Sequence, residues 1–125
     1  MSTFHRSGSR SAGLTTKILA AHGAGDAAPG ALATVTCDLV MMNDVSGSLA
    51  MRSFERMGAA RVFDPERVVL VADHFVPAKD VRSAELVRDL RRFAERHGIE
   101  HYYELGRTAE AGIEHTLLPL SLIHI

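Results

Sequence analysis

Asp73 and His74, adjacent in the chain, are the residues of this sequence best suited to chemistry. A carboxylate beside a histidine can orient the imidazole and hold its proton, which makes the ring a positioned proton donor. The pair directly follows VVLVA at 68–72, whose shortness and apolar faces predict a central parallel strand. Ligands of open parallel sheets bind outside the carboxyl ends of the strands, so the pair is expected at such an edge. The alternative is a histidine that only bonds to a loop carbonyl at the strand end.

Asn43, Asp44 and His115 are other polar residues that could share this edge. Asn43 and Asp44 follow an apolar, β-branched stretch at 33–41, which predicts a strand ending near them. The two residues are also typical of a turn that caps a following helix, and that interpretation stays open. His115 follows another loop, and a histidine in a mixed apolar segment can equally be structural.

His97 and His101 have the i, i+4 spacing of a metal-binding pair on a helix. Gly98 lies between them and ends the predicted helix, and the sequence offers no third ligand nearby. A metal site at these histidines is therefore not favoured.

The elements that must position these residues alternate between helix and strand. Helices are predicted over 15–22, from Ser46 or Ser48 to about Met57, and over 80–97. Strands are predicted over 33–41, 67–72 and 99–105. This order indicates βαβ units with right-handed crossovers, and therefore an α/β fold around a parallel sheet.

The same patterns predict which side chains face the core. Cys37 is expected to be buried in the first strand as a small hydrophobic residue. The second helix is expected to bury Ala50, Phe54 and Met57. The long helix is expected to bury Val87, Leu90, Phe93 and Ala94. Period two in the last strand places on one face Ile99, His101, Tyr103 and Leu105.

Composition limits the class of protein. With 125 residues, 46% of them hydrophobic, the chain has room for one globular domain. The formal net charge of -1 gives no electrostatic basis for nucleic-acid binding. No apolar run approaches the roughly 18 residues of a membrane-spanning helix. The single cysteine excludes an internal disulfide and, alone, a cysteine-based zinc or iron–sulfur site.

The two ends of the sequence differ from the rest. Residues 1–13 are polar and contain no acidic side chain, and they are expected to form a disordered tail. Residues 120–125, LSLIHI, form an apolar terminus, which a finished domain seldom leaves exposed. We therefore expect 120–125 to be the non-native tail of a truncated reading frame, and 14–119 to be a partial α/β domain.

A set of motifs in one collinear order carries a family resemblance. The motifs are KILA at 17–20, PG at 29–30, VMMNDVSG at 40–47, FERMG at 54–58, VFDPERV at 62–68, VADHFVP at 71–77 and GIEHTLLP at 112–119. Together they resemble the N-terminal part of the 3-isopropylmalate dehydratase large subunits, which belong to the aconitase superfamily of iron–sulfur hydro-lyases. The resemblance implies a partial parallel sheet of the aconitase N-terminal type, in a three-layer α/β/α arrangement.

The resemblance also implies a chemistry. In this superfamily a 4Fe-4S cluster on three cysteines binds the substrate hydroxyl and a carboxylate as a Lewis acid. A serine alkoxide removes the proton next to a carboxylate, and an Asp–His pair protonates the departing hydroxyl. By motif Asp73 and His74 match that pair, with His74 as the acid. Asn43 matches a substrate-contacting amide side chain, and His115 matches a histidine that pairs with an aspartate further along the chain.

The sequence departs from the family pattern because it lacks the cluster cysteines and the serine base. Cys37 matches none of the cluster ligands, so the 4Fe-4S cluster is expected to be held outside this chain, and the serine base to come from a small-subunit partner. The implied parent isomerises the 2-hydroxy acid 2-isopropylmalate to 3-isopropylmalate in leucine biosynthesis, in the cytoplasm, and the chain alone is expected to be inactive. Homoaconitase, 2,3-dimethylmalate dehydratase and a non-catalytic α/β interaction module are the alternatives.

Overall fold

The structure, a computed structural model, describes residues 13–25 and 30–106, which fall into two compact units divided between Asp38 and Leu39. The described part of the first unit contains helix α1, Leu14–Ala21, close to the predicted bounds. The Nε2 atom of His22 lies 3.4 Å from Oδ2 of Asp38, and the carbonyl oxygen of His22 accepts the N–H of Thr36 at 3.0 Å.

Residues 33–39 do not form the predicted strand, which begins only at Val40. β-Branched residues favour a strand where the surface is half buried and a partner strand is present. Residues 33–38 are exposed instead, and Cys37 is an exposed free thiol. The predicted burial of Cys37 is therefore wrong.

The described part of the second unit is built around a parallel sheet in the order β1-β2-β3. The strands are β1 (Val40–Asn43), β2 (Val68–Ala72) and β3 (Tyr102–Glu104). Helix α2 (Ser46–Arg56) and a 3₁₀ turn (Pro65–Arg67) connect the first pair, and helix α3 (Val81–His97) connects the second. The register pairs Asn43 with Val71 and Ala72 with Glu104, so the carboxyl ends of the strands lie at one edge. The predicted α/β fold is confirmed.

Helices α2 and α3 pack on the same face of the sheet. Right-handed crossovers place successive helices on one side when the strand order follows the chain. The alternating β2 residues on this face are Val68, Leu70 and Ala72, which share a core with Met51 of α2 and Leu90 of α3. Gly47 allows the close approach of α2 to α3, since a Cβ there would lie 2.8 Å from Cδ1 of Leu90. The described residues of this unit thus form a sheet layer and one helical layer.

The buried face of α2 differs from the predicted one. Ala50 and Met57 are exposed, whereas Met51 is buried and Phe54 is partly buried. The contact with α3 runs through Gly47, Met51 and Phe54, because the glycine lets the two helices approach at its position. Met57 lies just beyond the helix end, where the residue is 74% exposed.

Strand β3 is shorter than the predicted 99–105, and two of its three residues are buried. Tyr102 and Glu104 are buried, while His101 and Leu105 are exposed. The guanidinium of Arg91 binds both oxygens of Glu104, and the Tyr102 hydroxyl donates to Oε2 of Glu104 at 2.7 Å. Burial and then the bond to Glu104 raise the pKa of Tyr102, and the same carboxylate raises the pKa of Arg91. A carboxylate can therefore occupy the inner face because its charge is paired.

Helix α3 agrees with the sequence prediction at both ends and along its buried face. The Asp80 carboxylate accepts the N–H of Ser83 at 2.7 Å, and this hydrogen bond lowers the pKa of Asp80. Gly98, with φ of 67°, ends the helix in the left-handed region. The buried residues include Val87, Leu90, Phe93 and Ala94. None of the helices in the described part of the chain is long and apolar enough to cross a membrane.

Candidate acid–base site at the carboxyl edge of the sheet

Asp73 and His74 lie directly after the last residue of β2, as predicted. The strand is buried along its whole length, so it provides a rigid base for the two side chains that follow it. The exposed fraction rises from 1% at Ala72 to 13% for the Asp73 side chain and 39% for the His74 side chain. The pair therefore leaves the core at the edge where a ligand can reach it.

The ring of His74 is bonded to the neighbouring carboxylate. The Nδ1 atom of His74 lies 2.5 Å from Oδ1 of Asp73. An ionised carboxylate can only accept hydrogen bonds, so Nδ1 carries the hydrogen in this contact. The arrangement leaves Nε2 as the ring atom that can give or take a proton.

Asp44 is a second carboxylate at this edge, contributed by the residue after β1. Its side chain is fully buried, and its Oδ1 and Oδ2 accept the backbone N–H groups of His74 at 3.3 Å and Phe75 at 2.7 Å. Its Oδ1 also lies 3.6 Å from Nδ1 of His74. The backbone N–H of Asp44 donates to the carbonyl oxygen of Val71 at 3.2 Å. Asp44 thus connects the ends of two neighbouring strands.

Asn43 forms the capping turn that the sequence left as one interpretation. Its Oδ1 accepts the backbone N–H groups of Val45 at 3.0 Å and Ser46 at 2.7 Å, and the Ser46 hydroxyl at 2.8 Å. The predicted serine caps are wrong in detail, because Asn43 supplies the oxygen and the Ser48 hydroxyl donates to the carbonyl of Val45. The Asn43 oxygen therefore stabilises the start of α2.

The donor atoms of Asp44, Asp73 and His74 lie within 4.8 Å of one another, a spacing that a cation can also bridge. Both Asp44 oxygens already accept backbone hydrogen bonds, and Nδ1 of His74 is bonded to Asp73. We interpret this group as a hydrogen-bonded acid–imidazole cluster and assign no metal to it.

The remaining histidines of the sequence analysis lie elsewhere or outside the described residues. The ring of His97 packs against two aromatic rings, with centroid distances of 5.3 Å to Phe54 and 4.4 Å to Phe93. This packing gives His97 a structural role. His101 is exposed at the amino end of β3. His115 lies outside the described residues, so its position relative to His74 stays a prediction.

The sequence does not predict the role of Asp44. It places Asp44 at this edge as part of a capping turn, and not as a hydrogen-bond partner of the loop after β2. The available signal was a polar residue directly after each of two adjacent parallel strands, which brings such residues together.

Comparison with known proteins identifies the family. No family model matches the chain. The chain is 52% identical over 107 residues to the 3-isopropylmalate dehydratase large subunit of Moorella thermoacetica, which covers 85% of this chain and 25% of the relative. It is 53% identical over 106 residues to large subunit 2 of Rubrobacter xylanophilus, covering 84% of this chain and 24% of the relative. The matched residues belong to the 3-isopropylmalate dehydratase large-subunit family. The large subunit of Aquifex aeolicus is similarly 49% identical over 107 residues.

The chain spans about a quarter of the length of these 3-isopropylmalate dehydratase large subunits. Their name describes hydro-lyases and implies a smaller second subunit for them. Dehydratases of this superfamily usually carry an iron–sulfur cluster. The residues of this chain do not fit that group, since a cluster held by three cysteines needs more than the exposed Cys37. Its ligands would have to come from outside these residues.

Proposed function

We propose that this chain supplies the acid–base edge of a 3-isopropylmalate dehydratase, which isomerises 2-isopropylmalate to 3-isopropylmalate by dehydration and rehydration. The observation that carries the proposal is the 2.5 Å contact between Asp73 and His74 at the carboxyl edge of the sheet. The contact lies within a sequence that is 52% identical to one such subunit over 107 residues. Family and geometry therefore point to the same pair.

In the proposed reaction His74 gives its Nε2 proton to the substrate hydroxyl, and the C–O bond breaks so that the hydroxyl leaves as water. Asp73 holds the ring through Nδ1 and stabilises the positive charge of the protonated imidazole before transfer. Rehydration at the adjacent carbon runs in the reverse sense, with His74 taking a proton from the added water. The carbon-bound proton is removed by a base that we assign to a serine on the small subunit.

Two further residues take roles by family motif. We assign substrate contact to Asn43, in addition to the hydrogen bonds by which its oxygen caps α2. We assign His115 to the same edge, paired with an aspartate beyond this chain. The role proposed for His74 does not depend on either assignment, since neither residue has to move a proton to the hydroxyl.

The cluster and the small subunit complete the proposed enzyme. The 4Fe-4S cluster would supply Lewis acidity toward the hydroxyl and a carboxylate of the substrate. Because this chain has one cysteine, we derive no step through that cluster from these residues. The chain alone is accordingly expected to be inactive.

A chimera tests the proposal. The matching segment of the Moorella thermoacetica large subunit is replaced by this chain's residues, and the product is assembled with the small subunit of that enzyme. Turnover is followed by the absorbance of the unsaturated dicarboxylate intermediate, with the unmodified enzyme and the 125-residue chain plus small subunit as controls. We expect the chimera to retain turnover within about tenfold of the unmodified enzyme and the chain to show none. An assembled, cluster-loaded chimera without turnover contradicts the proposal.

A further inference from the structure

We infer that Asp44 is a positioning residue for His74, holding the backbone of residues 74 and 75 where the proton donor needs it. The catalytic meaning of this inference rests on the proposed function. The link itself is a property of the fold and can be measured without turnover.

The burial of Asp44 requires a reason. Its side chain is 0% exposed, and a buried carboxylate costs free energy unless hydrogen bonds replace its water. Each oxygen accepts one backbone N–H, from His74 and from Phe75. Both donors belong to the loop after β2, 30 and 31 residues further along the chain. The carboxylate is therefore satisfied by the very segment that carries the proposed acid.

Capping of α2 does not account for Asp44. The neighbouring Asn43 performs that role, because its Oδ1 accepts the N–H groups of Val45 and Ser46. The N–H of Asp44 instead donates to the carbonyl of Val71 at 3.2 Å, which continues the β1–β2 pairing by one residue. This bond fixes the backbone from which the carboxylate extends toward the loop.

The two carboxylates near His74 act on different parts of it. Asp73 contacts Nδ1 at 2.5 Å and orients the ring. Asp44 lies farther from Nδ1, at 3.6 Å, and bonds the backbone of the same residue. A displacement of about 1 Å can cost about a hundredfold in rate, so a backbone anchor matters to a proton donor.

Amide exchange in the isotope-labelled 125-residue chain tests the backbone link. In Asp44→Asn the amide nitrogen must face one of the two N–H donors, so we expect at least one of the His74 and Phe75 amides to exchange at least about tenfold faster. Asp73→Asn should leave those amides protected and shift the hydrogen-bonded Nδ1 proton signal, because a neutral amide replaces the carboxylate. The matched control is Asp64→Asn, because the Asp64 carboxylate also accepts a backbone N–H, from Glu66 at 3.1 Å, and should leave both signals unchanged. Wild-type exchange in Asp44→Asn overturns the inference.

If Asp44→Asn does not fold, the wild-type chain still decides the question. A hydrogen bond at 2.7 Å should transmit a scalar coupling between the amide nitrogen of Phe75 and the carboxylate carbon of Asp44. Detection of this coupling supports the inference, and its absence in a folded sample overturns it.

The kinetic arm uses the chimera described above. We expect Asp44→Asn to lower kcat about a hundredfold while KM changes less than about threefold, since the proton donor is displaced and substrate binding is kept. Asp64→Asn should have kinetics close to those of the parent chimera. Unchanged kcat in Asp44→Asn overturns the inference. An inactive parent chimera counts against the proposed function, and the amide exchange then decides the inference alone.

Discussion

The carboxylate of Asp44 accepts the backbone N–H of Phe75 at 2.7 Å, although 31 positions separate the two residues in the chain. The bond joins the residue after β1 to the loop after β2, beside the ladder that already pairs these strands. The position of His74, between Asp73 and Phe75, therefore depends on β1 as well as on the strand that carries it. Substitutions in β1 or α2 should therefore alter the position of His74, the proposed acid.

Asp73→Asn should lower kcat of the chimera by about a hundredfold or more, which is the range that positioned acid–base groups contribute. The neutral amide no longer stabilises the protonated ring and can turn either its oxygen or its nitrogen toward Nδ1. Steady-state turnover measures the effect, with Asp89→Asn as control because Asp89 is half exposed in a surface pair with Arg88. An Asp73→Asn enzyme within about twofold of the parent contradicts the orienting role.

Glu104→Gln should destabilise the 125-residue chain by about 2 kcal/mol or more, because it breaks a charged network between β3 and α3. The Arg91 side chain is a third exposed, which places the expected cost at the lower end for buried pairs. Urea unfolding followed by circular dichroism measures the difference. Asp89→Asn breaks an exposed arginine pair and should cost less than about 1 kcal/mol. Equal costs for the two variants would show that the Glu104 network adds nothing.

Tyr102 should make the unfolding free energy fall in alkaline solution. Burial and Glu104 raise its pKa in the folded chain, whereas an unfolded tyrosine ionises near pH 10. Above about pH 10 the unfolded state therefore loses a proton that the folded state keeps, and stability decreases as pH rises. Tyr102→Phe lacks this contribution, so the stability difference between wild type and variant should be constant below about pH 10 and decline above it. A difference that stays constant to about pH 11 contradicts the prediction.

Gly47→Ala should destabilise the chain by about 1–3 kcal/mol, because the added methyl group meets the buried Leu90 at the contact of α2 with α3. Leu90→Ala alone should cost about 2–5 kcal/mol by leaving a cavity. The double variant should cost clearly less than the sum, since the methyl group then occupies vacated space. Thermal or urea unfolding of the four proteins completes the cycle, and strict additivity would contradict the proposed contact.

Strand β2 and helix α3 could be predicted from the sequence because their signals are local. An apolar run between polar residues identifies β2, and Asp80 and Gly98 mark the ends of α3. The placement of Asp73 and His74 at the carboxyl edge followed from β2 alone.

The wrong predictions concern features that depend on partners distant in the chain. Residues 33–38 have strand propensity but remain exposed, and the phase of α2 is set by the approach of Gly47 to Leu90. In β3 a hydrophobic pattern could not show that Glu104 would face inward, since that burial depends on its hydrogen bonds with Arg91 and Tyr102. The bond from Asp44 to Phe75 likewise depends on the strand order.

Turnover of the chimera carrying His74→Ala tests the central claim, that His74 protonates the departing hydroxyl. We expect turnover to fall to about a hundredth or less, while the absorbance of the iron–sulfur cluster and the binding of the small subunit stay as in the parent. His101→Ala is the matched control, because His101 is exposed at the amino end of β3, away from the edge that carries His74, and should leave turnover unchanged. Near-parental turnover in His74→Ala would contradict the account and remove His74 from the acid role.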